Sequence, residues 1–241
     1  MLEDNSIPSP KSFREDSWDT IAANVRAGNL SKYKVGDTKE ITLTSDDADI
    51  AGTYTVRIAN TSTPRECNRE GFSQTACGFV IEFEDIISTR VMNSTDTSVG
   101  GWEASEMRSY VNNEIYNAFP EELRKLIIDT YVVSGHEEGK TENYKTTDKV
   151  YLLSTKEVWE DVEDNLIKYD TARDVTRQLD YYKQKGVTTS NYGDVIKNEE
   201  YWWLRSAIST TTNGFYYVNE LGDWTTDSST ITNGVSVAFR L

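Results

Sequence analysis

The sequence predicts an α+β fold of antiparallel sheets with flanking helices. Three observations carry this: apolar/polar alternation in several early segments, helical apolar spacing in the segments beside them, and three closely spaced apolar runs at the carboxyl end. Taken in order, residues 1–12 hold two of the four prolines and form a polar lead-in, with one domain expected over 13–241. Ser17 or Asp16 caps a first helix whose Trp18, Ile21, Ala22 and Val25 share one face, and Gly28 ends it. Segments 39–43, 54–58 and 79–83 alternate as half-buried strands do. Gly100-Gly101-Trp102 leads into a helix carrying Met107, Tyr110, Val111 and Ile115. Pro120 opens another with Leu123, Leu126, Ile127 and Tyr131. Residues 150–153 form a short buried strand, and Ser154 with Glu157 makes a capping box ahead of Val158-Trp159. Residues 160–200 are strongly charged, with one helical stretch at Val175, Leu179 and Tyr182 stopped near Gly186, and are the most insertion-like part. Three strands follow, 201–206, 215–218 and 234–240, separated by Ser/Thr/Asn/Asp-rich linkers at 209–213 and 225–230. Alternation along the first places Trp202 and Leu204 on one face and Trp203 and Arg205 on the other. One Trp is then core and its neighbour packs under Arg205.

The 241 residues include six Trp, 14 Tyr and seven Phe, enough apolar area for a sizeable core. Forty acidic against 25 basic residues give a net charge of −15, which repels phosphate backbones and anionic headgroups alike. Nucleic acid and membrane insertion are therefore poor partners. No stretch approaches the roughly 20 apolar residues that span a bilayer, and Met1-Leu2-Glu3-Asp4-Asn5 lacks the basic and apolar regions of a signal peptide.

Rare residues narrow the chemistry further. The single histidine, His136, lies in a small, charged loop, and no Gly-x-Ser-x-Gly elbow accompanies it. One His and two Cys cannot complete a four-ligand zinc site. Asp46-Asp47-Ala48-Asp49 lacks the calcium-loop spacing and fits a solvated turn. No catalytic residue, cofactor or metal is expected. Cys67 and Cys77 flank a polar loop able to bring its ends together, so a disulfide is expected over two reduced thiols, which implies an oxidising compartment.

The ordered set Gly100-Gly101-Trp102, Ser105-x-Met107-Arg108, Pro120 with Leu123, Lys149 to Ser154, Trp202-Trp203-Leu204-Arg205-Ser206 and Gly234-Val235 with Ala238-Phe239 resembles a bacterial and phage domain family of unknown function. Over roughly residues 12–241, the resemblance implies a C-type-lectin-like fold in the C-terminal part. That fold also serves formylglycine-generating enzymes and the variable proteins of diversity-generating retroelements. It implies binding rather than catalysis, since no cysteine follows Cys77 and formylglycine generation needs reactive ones in that lobe. Nor does any proline follow Pro120, which leaves calcium-lectin Glu-Pro-Asn loops without a counterpart. In retroelement-diversified members, adenine-directed copying scatters Asn codons into Tyr, Ser, Thr, Asp, Ile and Phe. Thr210, Thr211, Thr212, Asn213, Tyr217, Asn219, Thr225, Thr226, Asp227, Thr232 and Asn233 fit that palette, and Trp224 beside Gly222-Asp223 is the candidate exposed aromatic. Trp202, Trp203, Leu204, Gly222 and Gly234 then form the frame. Tyr offers contact area at low entropic cost, and small polar groups adapt their hydrogen bonds.

The leading expectation is a recognition module at a bacterial surface or on a phage particle that binds a protein or glycan through a variable-type lobe at about 201–241. A hydrolase using two carboxylates and a passive spacer domain are the rivals, and no sequence feature selects a carboxylate pair.

Overall fold

A computed structural model describes residues 6–162 and 165–241. Its first helix, α1 (Trp18–Arg26), is capped by Ser17, whose hydroxyl accepts from the Thr20 N–H, and Gly28 follows it with φ +71°. Next come β1 (Thr38–Leu43), β2 (Gly52–Asn60), β3 (Val80–Phe83) and β4 (Ser88–Arg90). A helical run then holds α2 (Gly101–Ala104), α3 (Glu106–Tyr110), a π-helical turn (Val111–Ile115) and α4 (Tyr116–Ala118), and one further turn, α5 (Glu121–Arg124), follows Pro120. The hairpin β5 (Thr130–Ser134) and β6 (Tyr144–Asp148) precedes α6 (Thr155–Val158) and α7 (Asp180–Gln184). The last strands are β7 (Trp202–Ala207), β8 (Gly214–Val218), β9 (Trp224–Ser228), β10 (Asn233–Val235) and β11 (Ala238–Arg240).

These strands form a four-stranded sheet in the order β1-β2-β3-β11, a five-stranded sheet in the order β4-β10-β7-β8-β9, and the β5-β6 pair. Pairing is antiparallel except between β10 and β7. The fold is thus α+β with antiparallel sheets and few helices. One core cluster reaches from Phe13 to Leu241, and Trp102, Trp159, Trp202 and Trp203 are wholly buried in it. Each large apolar side chain so buried contributes roughly 1.5–3 kcal/mol.

Several expectations change. The helix after Pro120 stops at Arg124, and Tyr131 lies in β5: the β-branched and aromatic run Thr130-Tyr131-Val132-Val133 finds a strand partner in β6, and tertiary pairing overrides the helical spacing. The 150–153 strand reduces to one bridge, Tyr151 to Ala238. The charged 160–200 segment is no appendage, because Leu179, Tyr182, Val187 and Val195 enter the main core. Of its expected helix only a 3₁₀ turn at Arg173–Val175 and α7 form. Linker 225–230 holds most of β9, and the final run splits between sheets, with β10 in the five-stranded one and β11 in the four-stranded one.

The Cys67–Cys77 disulfide is present, with Cα atoms 6.0 Å apart. Both cysteines are buried with Phe72 in a small satellite cluster rather than at a solvated loop margin. The closed loop carries its inner rung into the molecule: the Ser73 N–H donates to the Val175 carbonyl at 2.7 Å and the Gln74 N–H to that of Tyr131 at 2.8 Å.

Candidate ligand-binding surface

Strand β7 is the middle of its sheet and is buried on both faces, so the half-buried alternation does not apply. Trp202, Trp203, Leu204 and Arg205 are all buried. Nor does Trp203 lie under Arg205; its indole N–H donates to the Arg90 carbonyl at 2.8 Å and its ring meets Tyr217 edge-on at 5.7 Å. Trp202 instead lies 4.5 Å from the Lys197 ammonium.

Arg205 holds Glu157 in a two-pronged ion pair, both contacts at 2.6 Å and both side chains wholly buried. The guanidinium also donates to the carbonyls of Leu152 at 2.8 Å and Val133 at 3.2 Å. Glu157 accepts from the Thr75 hydroxyl, from that of Thr176 at 3.0 Å and from the Ser154 N–H at 2.8 Å, the last being one half of the expected capping box. Burial pushes the Glu157 carboxyl up, and Arg205 more than offsets it, leaving its pKa below the ordinary value. One arginine thus ties the disulfide loop, β5, the 150–153 segment, α6 and β7 together. A second buried cluster joins Arg57 on β2 to Glu82 on β3 at 2.8 Å, with Lys197 at 3.0 Å and the Tyr182 hydroxyl at 3.0 Å completing the carboxylate's partners. Here desolvation outweighs the attraction of Glu82 and lowers the Lys197 pKa to about 8. The deepest carboxylates are therefore taken up by internal partners.

Against this frame the β8-β9 hairpin presents the candidate residues. Tyr217 faces Thr225, Phe215 faces Asp227, and Tyr216 faces Thr226 across the pair, with Val218 opposite Trp224. Phe215, Tyr216 and Val218 are buried, whereas Tyr217, Trp224, Thr225, Thr226 and Asp227 are half-buried. Strand β9 pairs only with β8 and is the sheet's edge. Thr210, Thr212 and Thr232 are exposed; Thr211, Asn213 and Asn219 are half-buried. Asn233 is corrected: it is 6% exposed within β10, paired opposite Arg90, and leaves the candidate surface.

The set divides between the two ends of the hairpin. At one end the Asn213 amide and the Ser228 hydroxyl both donate to Asp96, at 3.1 and 2.5 Å, and these bonds lower that carboxyl's pKa. At the other, Asn219 organises the turn, accepting from the N–H groups of Leu221 at 2.9 Å and Asp223 at 3.0 Å. Gly222 in that turn has φ +88°, and a Cβ there would lie 2.2 Å from the Tyr192 carbonyl oxygen, so the frame role holds for it. Gly234 is equally constrained, with a Cβ falling 2.6 Å from the Tyr201 oxygen. Trp224 packs edge-on against Tyr216 at 6.2 Å and so anchors the hairpin as well as bordering solvent. Sequence reasoning missed three exposed apolar side chains at the margins: Leu221 in the turn (60% exposed), Ile231 and Tyr201. An apolar residue inside a Ser/Thr-rich linker is the signal that marks Ile231.

Among the described residues no group of three His, Cys, Asp or Glu side chains is placed to hold a metal, and no helix is long and apolar enough to cross a membrane. His136 turns its Nδ1 to the Glu137 carbonyl at 2.8 Å.

No curated protein and no solved structure matches the chain. A family model described as a domain of unknown function, DUF6273, matches residues 79–241, from just ahead of β3 to the last residue. With more than half of its length so matched, the chain belongs to the DUF6273 family.

Proposed function

We propose that this protein is a non-enzymatic recognition module of C-type-lectin-like character, displayed on a bacterial surface or phage particle, that binds a protein or glycan through the β8-β9 hairpin and its flanking loops. The supporting observation is the layering of that hairpin, in which Phe215, Tyr216 and Val218 anchor it while Thr210, Thr212 and Thr232 stand exposed and Tyr217, Trp224, Thr225, Thr226 and Asp227 are half-covered. A stiff aromatic support beneath polar, adaptable side chains limits the entropy lost on binding. The disulfide supports an oxidising location. Retroelement diversification of codons near 205–240 is part of the same reading.

Replacing the exposed Thr210, Thr212 and Thr232 together with bulky Arg tests the surface without touching Tyr217 or Asn219, which are structural. Capture on an array of bacterial glycans and envelope proteins should fall at least tenfold with unchanged melting; unchanged capture of whatever the parent binds refutes the assignment to the hairpin. For diversification, the encoding locus should carry a reverse transcriptase and an imperfect repeat differing at adenines, and a locus with neither removes that part.

A further inference from the structure

Forty acidic residues outnumber 25 basic ones along the chain, yet one cleft reverses that balance. It lies between the disulfide loop, the end of α6 and the 173–183 segment, with a volume of about 610 Å³. Five cations line it, Arg69, Lys156, Arg173, Arg177 and Lys183, against the carboxylates of Glu66, Glu160 and Asp174. Two of the five are neutralised: Lys156 pairs with Glu160 at 2.7 Å, and Arg177 pairs with Asp180 at 3.0 Å and Glu66 at 3.4 Å.

Among the described residues the remaining three make no direct ion pair. Arg173 is 7% exposed, and its guanidinium donates only to neutral acceptors: the Thr155 hydroxyl at 3.0 Å and the carbonyls of Trp159 at 2.9 Å, Glu160 at 3.0 Å and Asp161 at 3.4 Å. Among the described residues its Nε has no partner. Asp170 is reached only through the Thr155 hydroxyl, which donates to it at 2.5 Å. The carboxylates of Asp170, Glu160 and Asp161 attract the guanidinium from beyond contact, burial outweighs them, and an anion in the cleft supplies the direct partner it lacks. Arg69 donates to the Asp174 carbonyl and sits 5.1 Å over the Phe72 ring. Lys183 extends from α7 into solvent.

The volume falls within the usual 300–1,000 Å³ of small-molecule sites, but the wall is polar, with Phe72 as its aromatic face. That combination disfavours an apolar ligand. Charge for an oxyanion, carboxylates able to accept from hydroxyl groups and one ring for C–H contact suit a hydroxylated anion. We propose that this cleft binds a sugar acid or sugar phosphate, with Arg69, Arg173 and Lys183 supplying the positive charge. The site stands apart from the hairpin reading and does not depend on it.

Calorimetric titration of the whole chain at fixed ionic strength with glucuronate, glucose 6-phosphate, glucose and inorganic phosphate tests the proposal. Glucuronate or glucose 6-phosphate should bind, which also tells carboxylate from phosphate, while glucose binds at least tenfold more weakly. Joint Arg69→Ala and Lys183→Ala replacement should cut that affinity at least tenfold with unchanged melting, since both side chains are exposed. Binding of neither charged sugar at millimolar concentration, equal binding of glucose, or full affinity in the double variant overturns the proposal. Inorganic phosphate binding as tightly as either sugar overturns its hydroxyl-recognition half.

Discussion

Glu157→Gln isolates the charge of the central ion pair. Gln keeps the side chain's volume and its capacity to accept from the Ser154 N–H, but Arg205 then remains wholly buried with carbonyls and hydroxyls as its only acceptors. Breaking a buried pair from one side costs roughly 3–5 kcal/mol, because the desolvation of the surviving charge is no longer offset. At about 2.1 cal/mol/K of unfolding entropy per residue, a 241-residue chain carries roughly 0.5 kcal/mol/K, so the melting temperature should drop by about 6–10 °C. Calorimetry and denaturant unfolding followed by tryptophan fluorescence measure it. Arg205→Met provides the sign control. Without the guanidinium, burial holds the Glu157 pKa above its unfolded value, so the folded state binds more protons and the penalty shrinks as pH falls toward 4, whereas Glu157→Gln shows no such relief. A loss under 1 kcal/mol in Glu157→Gln, or identical pH profiles for the two variants, refutes the reasoning.

Lys197 titrates near pH 8 in the folded protein and near 10.4 unfolded, so between those values the unfolded chain binds more protons and stability should rise with pH; Lys197→Met should flatten that limb. Above about pH 10 the trend should reverse, because Tyr144, raised to about 12, and the still higher Tyr33, Tyr151 and Tyr216 stay protonated when folded but ionise when unfolded, as denaturant midpoints across pH 7–11 will register. Reducing the disulfide, or replacing both cysteines with Ser, should remove about 3 kcal/mol for a loop of this length and loosen the Ser73–Thr75 rung, visible as faster amide exchange there. Gly222→Ala should cost more than 1 kcal/mol through its left-handed φ and the Tyr192 clash, measured by thermal melting; a neutral result means the turn relaxes freely.

Local signals were legible where the chain's own neighbours decide. Ser17 ahead of Trp18, the Ser154–Glu157 box, the alternation in β1 and the close cysteines all act over a few residues, and each formed, whereas β2 from Val56 onward and all of β3 are buried without alternation. What distant partners decide was not legible. Thr130 to Ser134 became a strand because β6 lay beside it, and the charged 160–200 segment sank in because Lys197 and Tyr182 meet a carboxylate on β3, 115 and 100 residues away in sequence. On the candidate surface, composition marked the hairpin's polar residues but could not separate Asn219, which holds the turn, or Asn233, inside β10, from the freely exposed Thr210 and Thr212. Three basic side chains left without direct counter-ions escaped notice because they come from the disulfide loop, the 3₁₀ turn and α7.

The family match opens at residue 79, yet β3 lies hydrogen-bonded between β2, which precedes that boundary, and β11, which closes the chain. Arg57 of β2 also supplies the nearest guanidinium to Glu82. Grafting the matched region onto a foreign leader would therefore expose an open ladder and leave Glu82 with Lys197 and Tyr182 but without its guanidinium. Exchange between relatives should succeed only when the donor's first two strands travel along.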